Sequence, residues 1–323
     1  MNGAVVSVVI PTKNDAEGLA KCIDGILSQT IPVHEILVID SGSTDGTTNI
    51  ARQRRKTRLL EIPASSFNHG ETRNIGIDNT TGDFILFTVQ DAMPVDRYWL
   101  ESLLCGFCRT DIAAVWGAQI VPDCYETNPI QWFRPVSEPR LQIFSFESPE
   151  AFRDSPSALK SNACSLDNVT ALYRRSALEG IRFQPTNYGE DMLFAVDALN
   201  RGWKLARNPA ARVYHFHLMD YETTLKRTII SGIMRWNLFG VMPERPTFRP
   251  LATAWHLVKR LGPKPLSVLH WWHYNRVQAR AINDALDELN AARIQGGDAM
   301  TTLHARFASS PPVPLKSRRA AAP

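Results

Sequence analysis

Several features that would classify a protein quickly are scarce or missing in these 323 residues. The five cysteines (Cys22, Cys105, Cys108, Cys124, Cys164) are odd in number and scattered. That excludes a disulfide framework and fits a reducing cytoplasm. No uncharged apolar run reaches about 18 residues, so no membrane-spanning helix is expected. The N-terminus enters Val5-Val6-Ser7-Val8-Val9-Ile10 almost at once; it is too short and uncharged for a signal peptide. Charge of one sign is also in short supply. Lys plus Arg number 36 against 32 for Asp plus Glu, and +4 is too mild to mark a nucleic-acid binder. There is no internal repeat. Neither G-x-G-x-x-G nor G-x-x-x-x-G-K-[ST] follows the first apolar run, which removes a dinucleotide site and a phosphate loop.

What is present is an ordinary globular composition, 44% hydrophobic and 21% charged. At this length it implies one large domain, or one with an appendage. Over the first 120 residues strand and helix patterns alternate. Apolar runs lie at Val5–Ile10, Glu35–Ile39, Arg58–Ile62, Phe84–Val89 and Ala113–Ile120. Helical spacing falls after Asn14, from Thr44 to Arg55, from Glu71 to Asn79 and from Tyr98 to Phe107. Such alternation predicts a mostly parallel sheet covered on both faces. Cys105 and Cys108 form a C-x-x-C within Leu103-Leu104-Cys105-Gly106-Phe107-Cys108. Without a second pair nearby it reads as core packing rather than zinc or redox chemistry. Residues 121–161 read as a Pro-rich, aromatic loop. Short elements follow at Thr170–Tyr173, Asp191–Arg201 and Trp203–Ala206. Beyond His217 the pattern is helical to about Ile294, broken by prolines, and Ser309–Pro323 reads as a disordered tail.

In an open parallel sheet, ligands bind outside the carboxyl ends of the strands. Those ends carry Pro11-Thr12-Lys13-Asn14, Asp40-Ser41-Gly42-Ser43-Thr44-Asp45-Gly46-Thr47 and Gln90-Asp91-Ala92. Together with Val8-Val9-Ile10 and Gly82-Asp83-Phe84-Ile85-Leu86-Phe87, this ordered set resembles glycosyltransferase family 2 over about residues 5 to 220. Phe67-Asn68-His69-Gly70-Glu71-Thr72-Arg73-Asn74, Gln90-Asp91-Ala92-Met93-Pro94 and Val213-Tyr214-His215-Phe216-His217 look like its bacterial rhamnosyltransferase branch.

The resemblance implies a GT-A, Rossmann-like α/β fold: a mostly parallel sheet flanked by helices. Residues 1–220 would form the catalytic domain, 221–308 a helical C-terminal extension and 309–323 the tail. It also implies a nucleotide-sugar-dependent, inverting enzyme. L-Rhamnose from dTDP-β-L-rhamnose is the expected donor, with a UDP-hexose or GDP-sugar as the alternative. A saccharide or lipid-linked saccharide in bacterial surface polysaccharide synthesis is the expected acceptor. A location in the cytoplasm follows, with peripheral contact at the inner face of the membrane and association between copies left open.

By the same resemblance Thr12, Asn14, Asp40, His69, Gly70 and Arg73 hold the nucleotide. An aspartate can accept from the ring N–H of a pyrimidine; the plainer reading of this stretch is helix capping, which Ser43, Thr44 and Asp45 could supply unaided. Asp91 stands where the family's D-x-D motif ends and would bind Mg²⁺ or Mn²⁺. Val89 replaces the first aspartate, which puts the geometry of that metal in question. His217, and less directly His215, would complete the metal shell or touch the diphosphate; as alternate residues on a strand they would face one side. Asp191 would be the catalytic base and Glu190 would position the acceptor. Acidic residues in a first helical turn also serve as plain dipole partners.

Two clusters are read more simply. Arg52, Arg54, Arg55, Lys56 and Arg58 suit a solvated helix end. Trp255, Trp271, Trp272 and Tyr274, with basic residues between them, fit either helix packing or an interfacial surface. Two other classes fit the sequence less well. A sugar-phosphate nucleotidyltransferase lacks support because Pro11-Thr12-Lys13-Asn14 is not its Gly-rich loop. A non-catalytic nucleotide-sugar-binding member is opposed by the retention of both Asp91 and Asp191.

Overall fold

The computed structural model describes residues 3–124, 126–131, 140–186 and 188–308; the tail expected at 309–323 lies outside them. The chain forms two compact units, the first comprising residues 3–120 and 140–215 and the second residues 121–131 and 216–308.

The first unit is built on a nine-stranded sheet. In chain order its elements are β1 (Val6–Thr12), α1 (Ala16–Leu27), β2 (Glu35–Asp40), α2 (Thr47–Gln53), β3 (Thr57–Glu61), α3 (His69–Asp78), β4 (Phe84–Thr88), β5 (Met93–Pro94), α4 (Trp99–Cys105) and β6 (Ile112–Ile120). After residue 140 come β7 (Gln142–Phe144), α5 (Pro149–Asp154), α6 (Ser157–Ala163), β8 (Thr170–Arg174), α7 (Arg175–Gly180), α8 (Glu190–Asn200) and β9 (Lys204–Tyr214). The sheet order is β3-β2-β1-β4-β8-β6-β9-β5, with β7 added on β9.

The four strands from β3 to β4 are parallel, as the alternation implies. β8 inserts antiparallel between β4 and β6, and β5 and β7 run antiparallel to β9, so the sheet is mixed beyond β4. β1 is buried on both faces, which is why its sequence is a continuous β-branched run. Val6, Val8 and Ile10 pack with Leu19, Cys22, Ile23 and Ile26 of α1 and with Trp99, Leu100, Leu103 and Leu104 of α4. Phe87, Tyr173, Phe183 and Phe194 meet edge to face or tilted at 4.9–5.5 Å, a cluster that anchors α8 through Phe194.

Three expectations need correction. Residues 121–161 are not one long loop, because β7, α5 and α6 lie inside that stretch. β9 does not end at Ala206 but runs to Tyr214; between the pairs Trp116–Arg207 and Ala118–Arg212 a register shift against β6 takes up residues 208–211. Cys105 and Cys108 are exposed rather than in the core, since α4 buries Trp99, Leu100, Leu103 and Leu104 on its other face.

The second unit is helical: α9 (Tyr221–Phe239), α10 (Pro250–Leu261), α11 (Pro265–Gln295) and α12 (Ala299–Ala308). Pro250 and Pro265 open helices, where their missing N–H costs nothing. Leu225, Ile229 and Ile233 of α9 pack on Ala281, Ala285, Leu286 and Leu289 of α11. Asn128 is buried in this unit and exchanges side-chain hydrogen bonds with Asn275 at 2.9 and 3.0 Å. Among the described residues no helix is long and apolar enough to cross a membrane.

Candidate active site

The polar ends of β1, β2 and β4 converge through side-chain hydrogen bonds. Parallel register sets Thr12 beside Asp40. The Thr12 hydroxyl donates to Gln90 Oε1, which also accepts from the Lys13 amide at 2.7 Å. Gln90 Nε2 returns a bond to the Lys13 carbonyl, so the first residue of Gln-Asp-Ala staples β4 to β1. Asn14 takes a left-handed backbone, φ 52°. Its amide donates to Ser43 Oγ and its Oδ1 accepts from the Thr44 amide, both at 2.8 Å, which ties the two strand-end loops together. Asp40 is buried, and its carboxylate accepts from the Gly42 and Ser43 amides and the Ser43 hydroxyl. Loop capping is therefore a role Asp40 already fulfils.

A second group forms where β5 meets β9. Met93 pairs with Tyr214, so Asp91, two residues earlier, comes beside His215. His215 Nε2 stands 3.5 Å from Asp91 Oδ1. Asp91, His215 and His217 are half-buried and each offers a ligand atom within 4.8 Å of the others. Both histidines lie past the end of β9, so chain direction after the strand, not strand alternation, brings them there. Val89 packs against the main core, and its carbonyl accepts from the Cys22 thiol.

Gln119, which sequence reasoning missed, completes this group. Its Nε2 donates to the carboxylate of Asp167, an acceptor only, which turns Oε1 toward His215. His215 Nδ1 then donates to that oxygen at 2.7 Å, which leaves Nε2 as the ring nitrogen on the Asp91 side. One carboxylate oxygen and two imidazole nitrogens fit a divalent cation. Their nitrogen content suits Mn²⁺ better than Mg²⁺. The signal was available, since Gln119 is a polar residue near the carboxyl end of β6.

The third group sits at the start of α8. Gly189 holds φ 76° at the N-cap, a backbone turn that glycine adopts without strain. It delivers Glu190 and Asp191 into the first helical turn. Arg73, four residues into α3, makes a 3.0 Å ion pair with Glu190, and both side chains are only 5% exposed. Arg73 also donates to the His69 carbonyl at 2.9 Å. Its guanidinium is thus engaged inside the protein and shapes Glu190 first.

Gly70 lies between them in sequence because an added Cβ would meet the Gln184 carbonyl oxygen at 1.9 Å. Asn68 caps α3 through the Gly70 and Glu71 amides and also accepts from the Thr186 amide at 3.0 Å. Asn168, another residue the sequence did not flag, donates its side chain to Glu190 at 2.8 Å and its backbone amide to Asp191 at 3.2 Å.

The two neighbouring carboxylates are pushed apart in acidity. Burial disfavours the charge on Glu190, yet Arg73, His69 and the Asn168 amide hold it below its usual value. For Asp191 the opposing pull of Arg73 is outweighed. Burial first, then the charges of Glu190 and Asp167, push its carboxyl well above the usual carboxylate range. One carboxylate held below its usual value beside one of raised basicity is an arrangement suited to proton transfer. The basic run at 52–58 is a surface feature, with Arg52 paired to Glu61, Arg54 to Asp24 and Arg58 to Glu35.

Comparison with known proteins now identifies the chain. The profile of the Glycosyl transferase family 2 matches residues 7–182. The O-antigen chain rhamnosyltransferase RfbN of Salmonella typhimurium is 30% identical over 231 residues, 71% of each chain. Among solved structures, the mannosyltransferase PcManGT from Pyrobaculum calidifontis, in complex with GDP-Man and Mn²⁺, gives a TM-score of 0.53 at 18% identity. That match covers 94% of this chain and 79% of that one. Glucosyl-3-phosphoglycerate synthase from Mycobacterium tuberculosis, in complex with Mg²⁺ and UDP, gives 0.52 at 18% identity, covering 76% and 83%. These structures share the GT-A fold. With its profile matched over more than half the length, the chain belongs to glycosyltransferase family 2 and is a glycosyltransferase.

Proposed function

We propose that this enzyme transfers L-rhamnose from dTDP-β-L-rhamnose, with inversion, onto a saccharide or lipid-linked saccharide acceptor of a bacterial surface polysaccharide. The rhamnosyl choice is supported by the 30% identity to an O-antigen chain rhamnosyltransferase. The work would take place in the cytoplasm, next to the membrane that carries a lipid-linked acceptor.

The observation that carries the chemistry is Asp191, whose carboxyl is held at raised basicity beside Glu190, which Arg73 holds below its usual value. In the proposed reaction Asp191 takes the proton of an acceptor hydroxyl as its oxygen attacks the anomeric carbon. The new C–O bond forms on one face while the bond to the nucleoside diphosphate breaks on the other, so configuration inverts. Glu190, fixed by Arg73 and Asn168, orients the acceptor. Thr12, Asn14 and Asp40 form the wall for base and ribose, and His69, Gly70 and the start of α3 close it on the phosphate side. Asp91, His215 and His217 are the residues that would hold Mn²⁺ or Mg²⁺. Such a cation neutralises charge on the departing diphosphate.

Two measurements test this reading. A panel of dTDP-, UDP- and GDP-sugars is screened for thermal stabilisation with and without Mn²⁺; the rhamnosyl donor should give the largest shift. A GDP- or UDP-sugar standing out instead would replace rhamnose as the donor. Asp191→Asn should retain that stabilisation and lose roughly 10²- to 10⁴-fold in transfer. A folded variant keeping more than about a tenth of wild-type transfer would remove Asp191 from the base role.

A further inference from the structure

The second unit carries an apolar surface that its own core does not use. Leu251, Trp255 and Val258 fall at helical spacing along one face of α10 and are 87%, 59% and 48% exposed. Leu266 and Leu269, in the first two turns of α11, are 83% and 62% exposed. Val258 and Leu269, with Val268 and Trp272, line one open concavity of about 600 Å³ that joins the two helices. A soluble surface seldom shows so many large apolar side chains together, and they mark an interaction face.

Charge indicates what that face meets. Between Glu244 and Asp284 the sequence holds seven Lys and Arg residues and no Asp or Glu, although Arg245 and Arg280 at its ends pair with Asp287 and Asp284. Lys264 belongs to the rim of the concavity. The Lys259 ammonium sits 5.1 Å from the Trp255 ring centroid, so a cation and an interfacial aromatic share one patch. Long basic side chains can keep their charge at a headgroup level while their stems lie along apolar surface. A second copy docked face to face by two-fold symmetry would bring Lys259 and Lys264 against like charge. An anionic lipid surface complements it.

We infer that the α10 and α11 face is a docking surface for an anionic phospholipid membrane. Leu251, Trp255, Leu266 and Leu269 enter the interface, and Lys259 and Lys264 meet lipid phosphates. The inference deepens the reading of a lipid-linked acceptor, but it stands on separate observations and its test does not involve sugar transfer.

The test is co-sedimentation of the full chain with vesicles of phosphatidylglycerol and phosphatidylcholine, compared with phosphatidylcholine alone. Binding should need the anionic lipid, weaken with salt and shift Trp emission to the blue. Each cation contributes about fivefold to such partitioning. Lys259→Glu with Lys264→Glu should therefore weaken it by at least about 25-fold. Leu251→Ser with Leu266→Ser and Leu269→Ser, all at exposed sites, should abolish the blue shift while leaving the fold intact.

Equal binding to both vesicle types, or variants that bind like wild type, would overturn the inference. So would a dimer in solution that the leucine variant converts to monomer, because the face would then be covered by a second copy. Nucleotide-sugar stabilisation is measured on the same variants. Its failure in wild type beside intact vesicle binding would count against the proposed transferase reading and leave the docking surface standing.

Discussion

A carboxylate that must accept a proton near neutral pH gains basicity by losing solvation, and Asp191 has been placed to lose it. Its raised carboxyl makes a signed forecast for activity. Only the ionised form is a base, so transfer should rise with pH through a midpoint above the usual aspartate value of about 4. Removing one neighbouring charge should move that limb. Asp167→Asn is expected to shift it to lower pH, because Asp167 is one of the charges that raises Asp191. A pH–rate profile that stays put would separate Asp191 from the limb. The same shift has a sign for stability. Ionising Asp191 costs more in the folded chain than in the unfolded one. Its contribution is therefore most favourable below the unfolded value and declines as pH rises through the raised one. Asp191→Asn should accordingly melt higher than wild type at neutral pH, opposite to the loss expected from a mere helix-dipole partner. Gln119→Leu tests the other cluster. Without the Gln119 bond to Nδ1 of His215, the Mn²⁺ concentration for half-maximal activity should rise about 10- to 100-fold in a metal titration.

Elements were legible in proportion to their length and regularity. β1, α1, β2, β4 and α8 fall close to where hydrophobic periodicity put them, because each presents a full buried run or face to the sheet. β7, α5 and α6 contain only three, six and seven residues, too few for a period to show. The pattern of β9 breaks at Asn208 and Pro209, where the strand bulges, so only its first half shows in the sequence. At the site, strand ends exposed Thr12, Asn14, Asp40 and Asp91 to inspection. The ion pair of Arg73 with Glu190 spans 117 positions of sequence and left no local trace. Asn168 was invisible for the same reason. Asn68 shows how one residue governs an element. It caps α3 and also holds the Thr186 amide shortly before α8. Asn68→Ala should lower stability by about 1–2 kcal/mol, the upper range for a lost cap, as read by chemical denaturation. A loss below about 0.5 kcal/mol would mean the cap is replaced by solvent.

For the whole molecule, the chain path matters more than the number of units. It leaves the first unit after residue 120, returns to it by residue 140 and leaves again after 215. Residues 121–131 thus belong with the C-terminal helices, and buried Asn128 depends on Asn275 of α11 for two hydrogen bonds. A fragment ending at residue 220 would strand that segment. The segment would lose both Asn275 bonds together with the helices that bury Asn128, and its apolar side chains would face water. Such a fragment should be less soluble and melt below the full chain when the two are expressed side by side. A fragment that unfolds cooperatively at the full-length Tm would show that the segment needs no helical partner.

The same path bears on inheritance. A gene whose C-terminal unit sat wholly downstream could acquire a new one by a single recombination event. Here one crossover near residue 215 would import foreign helices and leave the resident 121–131 segment facing them. Asn128 and Asn275, 147 positions apart, would come from different parents. Descendants should therefore exchange this unit rarely, or only with matched changes in both stretches, so the helical half should share its ancestry with the catalytic half.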